Sequence, residues 1–208
     1  MRLFIAIELE KGLIDKIASV QEKLASGDYD LKMVEPRNLH LTLKFLGDIH
    51  EEQLMKVENI ISSSLRGFHD FGISFEGIGY FGDESFIKVV WAGVKDGKEG
   101  LINLAKELDK NLSFIRKDEH GPSPHLTIAR VKSRRNAKEL GREIRAMQGV
   151  KLGEFRVKEI KLKKSVLLPQ GPEYADVKAF PLDERKVSRD AFSPEKERKA
   201  SAGAFNQE

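Results

Sequence analysis

Cysteine is absent from this 208-residue chain, which excludes disulfide frameworks, zinc–thiolate sites and cysteine nucleophiles and fits a cytoplasmic setting. Long apolar runs are missing too. The opening Met1-Arg-Leu-Phe-Ile-Ala-Ile7 is stopped by Glu8; it is too short to span a membrane, lacks a cleavage region, and reads as a buried first strand. Tryptophan occurs once and threonine only twice, at Thr42 and Thr127. What is present is ordinary for a soluble globular domain: 40% apolar and 33% charged residues. The net charge of +3 is unevenly spread. Residues 116–164 hold 15 Lys and Arg against 6 Asp and Glu, so the rest of the chain is net negative. A basic second half suits either a polyanionic partner or a solvated surface.

Each of the two threonines follows a histidine by two places, in His40-Leu41-Thr42-Leu43 and His125-Leu126-Thr127-Ile128. With 5 histidines in the chain, chance would do this about once in two thousand. Both runs alternate with period two, the pattern of a strand with one buried face. Leu41 and Leu43, or Leu126 and Ile128, enter a core; His and Thr stand together on the open face, roughly 6–7 Å apart along the backbone. An imidazole exchanges a proton near neutral pH and a hydroxyl donates to an anionic oxygen. Two such pairs suit a reaction that removes one proton and supplies another around a charged centre. His50, His69 and His120 lack such partners and read as surface or satisfied polar residues.

Around the runs, strands are expected at Arg2–Glu8, Leu39–Leu46, Phe71–Gly79, Phe86–Val94 and, as one long strand, Phe155–Leu168. Helices are expected near Lys11–Ala25 (apolar face Leu13, Ile14, Ile17, Val20, Leu24) and Glu51–Leu65. Two more lie from Glu99 to Phe114 (Ile102, Ala105, Leu108, Leu112 inward) and up to Met147. Asp48/Glu51, Asp96/Glu99 and Asn136/Glu139 have capping-box spacing. The order strand, helix, run-bearing strand, helix, strand therefore occurs twice, about 1–82 and 83–168, with offsets of 84 or 85 residues. Two copies packed face to face would put the His/Thr pairs on opposite walls of one cleft, with helices outside: an α+β fold of antiparallel or mixed sheets. The β-α-β order alone also permits parallel pairing. Residues 1–182 are expected to form one bilobal domain, and the polar segment 183–208 a flexible tail.

Arg130 ends the second run and could grip a phosphate through its planar fork. Strict alternation turns it away from His125, so it reaches the cleft only if the strand ends or bulges near Ala129. Lys44 shares the parity of His40 and Thr42, which places it in the cleft or at an exposed strand end. Gly77-Ile-Gly-Tyr80-Phe81-Gly82 carries two aromatics that could stack a base or pack a hairpin corner; Trp91 is expected in the core. Arg134 and Arg135 suit RNA phosphates or a solvated helix start. No ligand spacing for a metal is present, so none is expected.

The strings Asn38-Leu-His-Leu-Thr-Leu-Lys-Phe-Leu-Gly47 and Pro124-His-Leu-Thr-Ile-Ala-Arg130 resemble the two-histidine phosphoesterases, and within them the LigT-like RNA 2′,3′-cyclic phosphodiesterases, also called 2′-5′ RNA ligases. The likeness covers about residues 1–182, including Arg2-Leu-Phe-Ile-Ala-Ile7 and Leu168-Pro-Gln-Gly-Pro172. It implies a bilobal α+β fold with two pseudo-twofold-related, mainly antiparallel lobes. It further implies metal-independent and cofactor-free hydrolysis of RNA ends bearing 2′,3′-cyclic phosphate, a weak reversible 2′-5′ ligation, and no membrane or obligate protein partner. His40 would be the proton donor and His125 the proton acceptor, with Thr42, Thr127 and Arg130 on the phosphate. The two runs themselves are too symmetric to assign the roles. An RNA-end binding module without turnover, or a relative acting on another cyclic phosphate, remain the alternatives.

Overall fold

The computed structural model describes residues 1–169 and 171–184. The chain order is β1 (Arg2–Glu8), α1 (Lys11–Ala25), β2 (Leu31–Met33), a 3-10 turn at Pro36–Asn38, β3 (His40–Asp48), α2 (Glu51–Ser64), β4 (Phe71–Asp83) and β5 (Phe86–Val94). It continues through α3 (Lys98–Leu112), β6 (His125–Val131), α4 (Ala137–Ala146), β7 (Lys151–Val157), β8 (Glu159–Leu168) and β9 (Gly171–Pro181). One sheet runs β3-β1-β8-β9, the other β2-β6-β5-β4-β7. Every strand pair is antiparallel, which settles the direction that β-α-β order left open.

Sheet membership cuts across the two halves of the sequence. β4 joins the sheet of β5, β6 and β7, whereas β8 and β9 return to β1. The helices cross as well: α1 lies against β7 and β6, and α3 lies against β3. α2 packs on α3 and β9, and α4 on β4 and β5. Set side by side, β3-β1-β8-β9 and β6-β5-β4-β7 put each run-bearing strand next to a strand rich in buried residues. In β1 the residues Leu3 to Ile7 are all buried. α1 buries Leu13, Ile17, Val20 and Leu24, as its period predicts. In α3 the inward face is Leu101, Leu104, Ala105, Leu108 and Leu112, one position off the expected stripe at Ile102.

The three expected capping boxes do not form as read. At α2 the cap moves two residues on: His50 is the N-cap and its backbone N–H donates to Gln53 Oε1 at 3.3 Å. Gly97, with φ 72°, precedes α3, and Asp96 instead engages Ser74. Asn136 is left-handed (φ 50°) and donates its amide to the Asp28 carbonyl at 2.9 Å. The stretch expected as one strand from Phe155 to Leu168 breaks at Lys158, its two parts serving different sheets. β2 and β9 were not expected; β2 has three residues, and β9 lacks a clean alternation because it is an edge strand facing solvent. Of the segment 183–208, Asp183 is tied by backbone bonds to Phe68 and Asp70, and residues 185–208 lie outside the described residues.

Candidate active site

Both runs form strands, and the Cα atoms of β3 and β6 come within 8 Å of one another where the two sheets meet. Leu41, Leu43, Leu126 and Ile128 are buried, while His40, Thr42, His125 and Thr127 are half-buried on the open faces. The two imidazoles are held alike. His40 Nδ1 lies 2.7 Å from the Asn38 carbonyl and His125 Nδ1 lies 2.6 Å from the Ser123 carbonyl. A carbonyl oxygen only accepts, so each Nδ1 carries the proton and each Nε2 is the nitrogen free for chemistry. Asn38 is itself fixed, donating Nδ2 to the Pro172 carbonyl at 3.0 Å.

Each strand then departs from alternation at the same place. Across β1 and β3, Ile5 faces Lys44 and Ala6 faces Thr42, which leaves Leu43 without a partner. Across β5 and β6, Val90 faces Ala129 and Trp91 faces Thr127, which leaves Ile128 without one. These are β-bulges, and each reverses the face of the residues that follow, in β3 as far as a second shift that leaves Leu46 without a partner. Ala129 turns inward and Arg130 turns out to the cleft side, the condition that its place in the sequence demanded. The bulge is braced from behind: the buried Gln21 of α1 donates Nε2 to the carbonyls of Ile128 and Val34, both at 2.8 Å, and the Val34 N–H donates to Ile128 O at 2.9 Å.

In the other strand the same reversal turns Lys44 inward rather than into the cleft. Its side chain is 2% exposed, and Nζ donates to Asp109 Oδ1 at 2.5 Å and the Arg116 carbonyl at 2.6 Å. Phe45, five residues after His40 as Arg130 is five after His125, comes out in its place and is 57% exposed. The sequence reading overlooked Phe45; its signal was an aromatic at the same offset as Arg130. Its ring lies 6.1 Å from that of Phe4, which lies 5.0 Å from His40, so all three share one face. Tyr174 of β9 stands edge-on to His40 at 5.2 Å. Burial pushes the Tyr174 phenol up while the Arg130 guanidinium pulls it down, so the arginine of one sheet is felt at the His40 wall of the other.

Burial among these rings lowers the His40 pKa below 6.5, against the opposing hydrogen bond that the ring donates to the Asn38 carbonyl. Next to it lies a group of four charges. Lys161 Nζ donates to Glu8 at 2.6 Å and to Asp176 at 2.7 Å, and Lys163, nearly buried, bonds the same two carboxylates. Burial pushes both carboxyls up, but the two ammonium groups outweigh it and hold them low. Part of the basic surplus of residues 116–164 is therefore neutralised by acids from elsewhere in the chain. Arg135 likewise pairs with Asp28, and Arg134 lies over the Phe86 ring at 5.5 Å.

On the His125 wall, Phe81 is edge-on to the imidazole at 4.8 Å and 5.6 Å from Trp91. Trp91 is half-buried on this open face and not in the core as expected, because it pairs with Thr127 and lies across Gly79. Among the described residues, no group of three or more His, Cys, Asp and Glu side chains is placed to hold a metal ion, and no helix is long and apolar enough to cross a membrane.

Comparison with known proteins bears out the family resemblance. The family model described as LigT like phosphoesterase matches residues 7–91 and 93–174. A protein of Methanothermobacter thermautotrophicus named RNA 2′,3′-cyclic phosphodiesterase is 42% identical over 185 residues, 88% of this chain and 99% of the relative. One of the same name from Methanocaldococcus jannaschii is 39% identical over 181 residues, 86% of this chain and all of the relative. Among solved structures, a Thermus thermophilus protein superposes with a TM-score of 0.74 at 29% identity, covering 89% of this chain and all of that one. Escherichia coli LigT complexed with phosphate gives 0.67 at 26% identity, covering 88% and 98%. With paired runs on facing strands, a family match along most of its length and relatives matched end to end, this chain belongs to the LigT-like phosphoesterases.

Proposed function

We propose that this protein hydrolyses RNA ends bearing a 2′,3′-cyclic phosphate to 2′-phosphomonoesters, by two-histidine acid–base catalysis in the cytoplasm and within a single bilobal unit spanning residues 1–182. The observation that carries this reading is the matched presentation of two imidazoles, each with Nδ1–H tied to a carbonyl two residues upstream. The name shared by the archaeal relatives supports the substrate. In-line displacement places the attacking and leaving oxygens on opposite sides of phosphorus, which calls for a base on one wall and an acid on the other. His125 Nε2 takes the proton of the attacking water as its oxygen bonds to phosphorus. The P–O3′ bond breaks, and His40, protonated at Nε2, gives its proton to O3′. Burial lowers the His40 pKa, so the imidazolium surrenders that proton more readily. Each proton transfer contributes about 10²–10⁴-fold. Thr42, Thr127 and the outward-turned Arg130 hold the non-bridging oxygens, whose charge peaks in the transition state. The exposed Phe45 ring, on the His40 face, offers the terminal base a surface to stack on.

The test is incubation with RNA ending in 2′,3′-cyclic phosphate in excess EDTA, followed by identification of the hydroxyl that keeps the phosphate. Turnover to a 2′-phosphate, lost in His40→Ala and in His125→Ala without loss of fold, is the expected result. Binding without turnover would leave an RNA-end binding module, and turnover only of other cyclic phosphates would reassign the substrate.

A further inference from the structure

The mechanism above accounts for the cyclic phosphate and the terminal base, and leaves the rest of the RNA chain without a contact. The next anion on that chain is the phosphodiester on the 5′ side of the terminal nucleotide. Lys161 and Lys163 are already taken up by Glu8 and Asp176, so these four groups add no net charge to the His40 wall. A cation stands instead at the Arg130 end of the cleft. β2 is the edge strand beside β6, and its register sets Met33 against Ala129, Lys32 against Arg130 and Leu31 against Val131. Leu31 and Met33 pack on the core, whereas Lys32 is exposed on the side to which Arg130 turns. The bulge at Ile128 therefore gives Arg130 a second cation as its cross-strand neighbour, with Cβ atoms about 4.5–5.5 Å apart. Lys32 also reaches the other sheet. Any Cβ at Gly171, the first residue of β9, would lie 3.5 Å from the Lys32 Nζ. Three residues further along β9, Tyr174 stands edge-on to His40. Like charges in so close a pair repel, and an anion held between them turns the repulsion into attraction.

We propose that Lys32 holds this 5′ phosphodiester and so makes the site selective for the end of an RNA chain over a cyclic mononucleotide. This rests on the hydrolytic reading and names a specificity residue for it. Arg130 takes the reacting phosphate; Lys32, one strand further out, takes its neighbour as the chain leaves the cleft past β2 and Gly171. A compact ammonium on a flexible stem follows a phosphate without reading a base, so the selection is for chain and charge, not for sequence. The contact lies away from the bonds that form and break. It is made equally in the bound substrate and in the transition state, and therefore acts on KM with kcat little changed.

The test compares two substrates of the full chain: adenosine 2′,3′-cyclic phosphate, which ends in a 5′-hydroxyl, and a diadenylate with the same cyclic end. The unaltered protein prefers the diadenylate in kcat/KM. Lys32→Met lowers that preference about tenfold through KM, the loss expected of one charge-assisted contact, and Lys32→Arg keeps it. Lys56→Met, which removes an exposed lysine of α2, leaves it unchanged. A diadenylate whose linkage is an uncharged methylphosphonate loses the same factor with the unaltered protein and nothing more with Lys32→Met. On a log–log plot against salt concentration, kcat/KM for the ordinary diadenylate falls less steeply in Lys32→Met, by a slope of about 0.7, the share of one phosphate on a single strand. Equal kcat/KM for the two substrates overturns the contact and leaves the hydrolytic reading standing. So does a Lys32→Met loss that is as large on the mononucleotide, or that adds to the methylphosphonate loss. Absence of hydrolysis of either substrate by the unaltered protein overturns the hydrolytic reading and the contact with it.

Discussion

Replacing Gln21 with leucine tests whether the brace behind the β6 bulge sets the grip on phosphate. The amide is buried and touches no cleft residue, yet it donates to the carbonyls of Ile128 and Val34, both at 2.8 Å. Leucine fills similar space and supplies no donor. Ile128 O keeps the Val34 N–H, whereas Val34 O loses its side-chain donor. At about 1 kcal/mol per lost bond, and about 1–3 kcal/mol for a carbonyl left unsatisfied, Gln21→Leu costs about 2–4 kcal/mol. For a domain of this size that lowers Tm by roughly 5–15 °C. A merely structural role ends there. If the brace aims Arg130, kcat/KM for a 2′,3′-cyclic nucleotide also falls about tenfold at temperatures well below the melting midpoint. Arg130→Ala removes a transition-state donor and costs about 10²–10³-fold in rate. Because Gln21 acts through Arg130, the double variant is no slower than Arg130→Ala alone, a coupling that a double-mutant cycle measures. Full activity in Gln21→Leu, or a rate loss that simply multiplies that of Arg130→Ala, refutes the reasoning.

Phe45→Ala raises KM for an RNA-terminal cyclic phosphate about tenfold, the worth of one stacked base, while Phe45→Tyr restores it; steady-state kinetics on both variants decide. Burial disfavours the charged form of His40, so its pKa is lowered, and activity that needs the imidazolium is lost as pH rises through that lowered value. Opening its cover with Tyr174→Ala lets water in and moves the alkaline limb of the kcat/KM profile upward toward 6.5, leaving the acid limb in place. Lys44→Met leaves Asp109, which is partly exposed, without its ammonium partner and costs about 2–4 kcal/mol by denaturant unfolding. Burial pushes the Asp109 carboxyl up but Lys44 holds it lower still, so this contribution is present above the ordinary carboxylate pKa and is lost as pH falls through the depressed one.

The parts of the fold and site legible in the sequence were those written as periodicity. β1 and α1 have the bounds their apolar patterns predict, although in α1 Ile14 is only half-buried and Gln21 takes a buried place, and β5, apolar on both faces, sits third of five strands. The His and Thr positions of both runs needed only alternation. What the sequence concealed depends on pairing. Arg130 and Lys44 exchange faces because Ile128 and Leu43 have no cross-strand partners, and a missing partner is invisible in one strand read alone. Phe155–Leu168 looks continuous because both its halves alternate, yet they belong to different sheets. Trp91 was misplaced for a related reason: apolar character alone does not distinguish an interior from a floor on which aromatic rings meet.

The paired bulges also separate two jobs that a regular strand would tie together. Each spare residue, Leu43 or Ile128, absorbs the change of face, so the side chain two positions later can be exchanged without moving the histidine, the threonine or the core beneath them. One lobe has used that freedom for a flat ring and the other for a cation. In the proposed mechanism, recognition and charge neutralisation can therefore be retuned by single substitutions at positions 45 and 130, while the proton-handling frame stays as it was built.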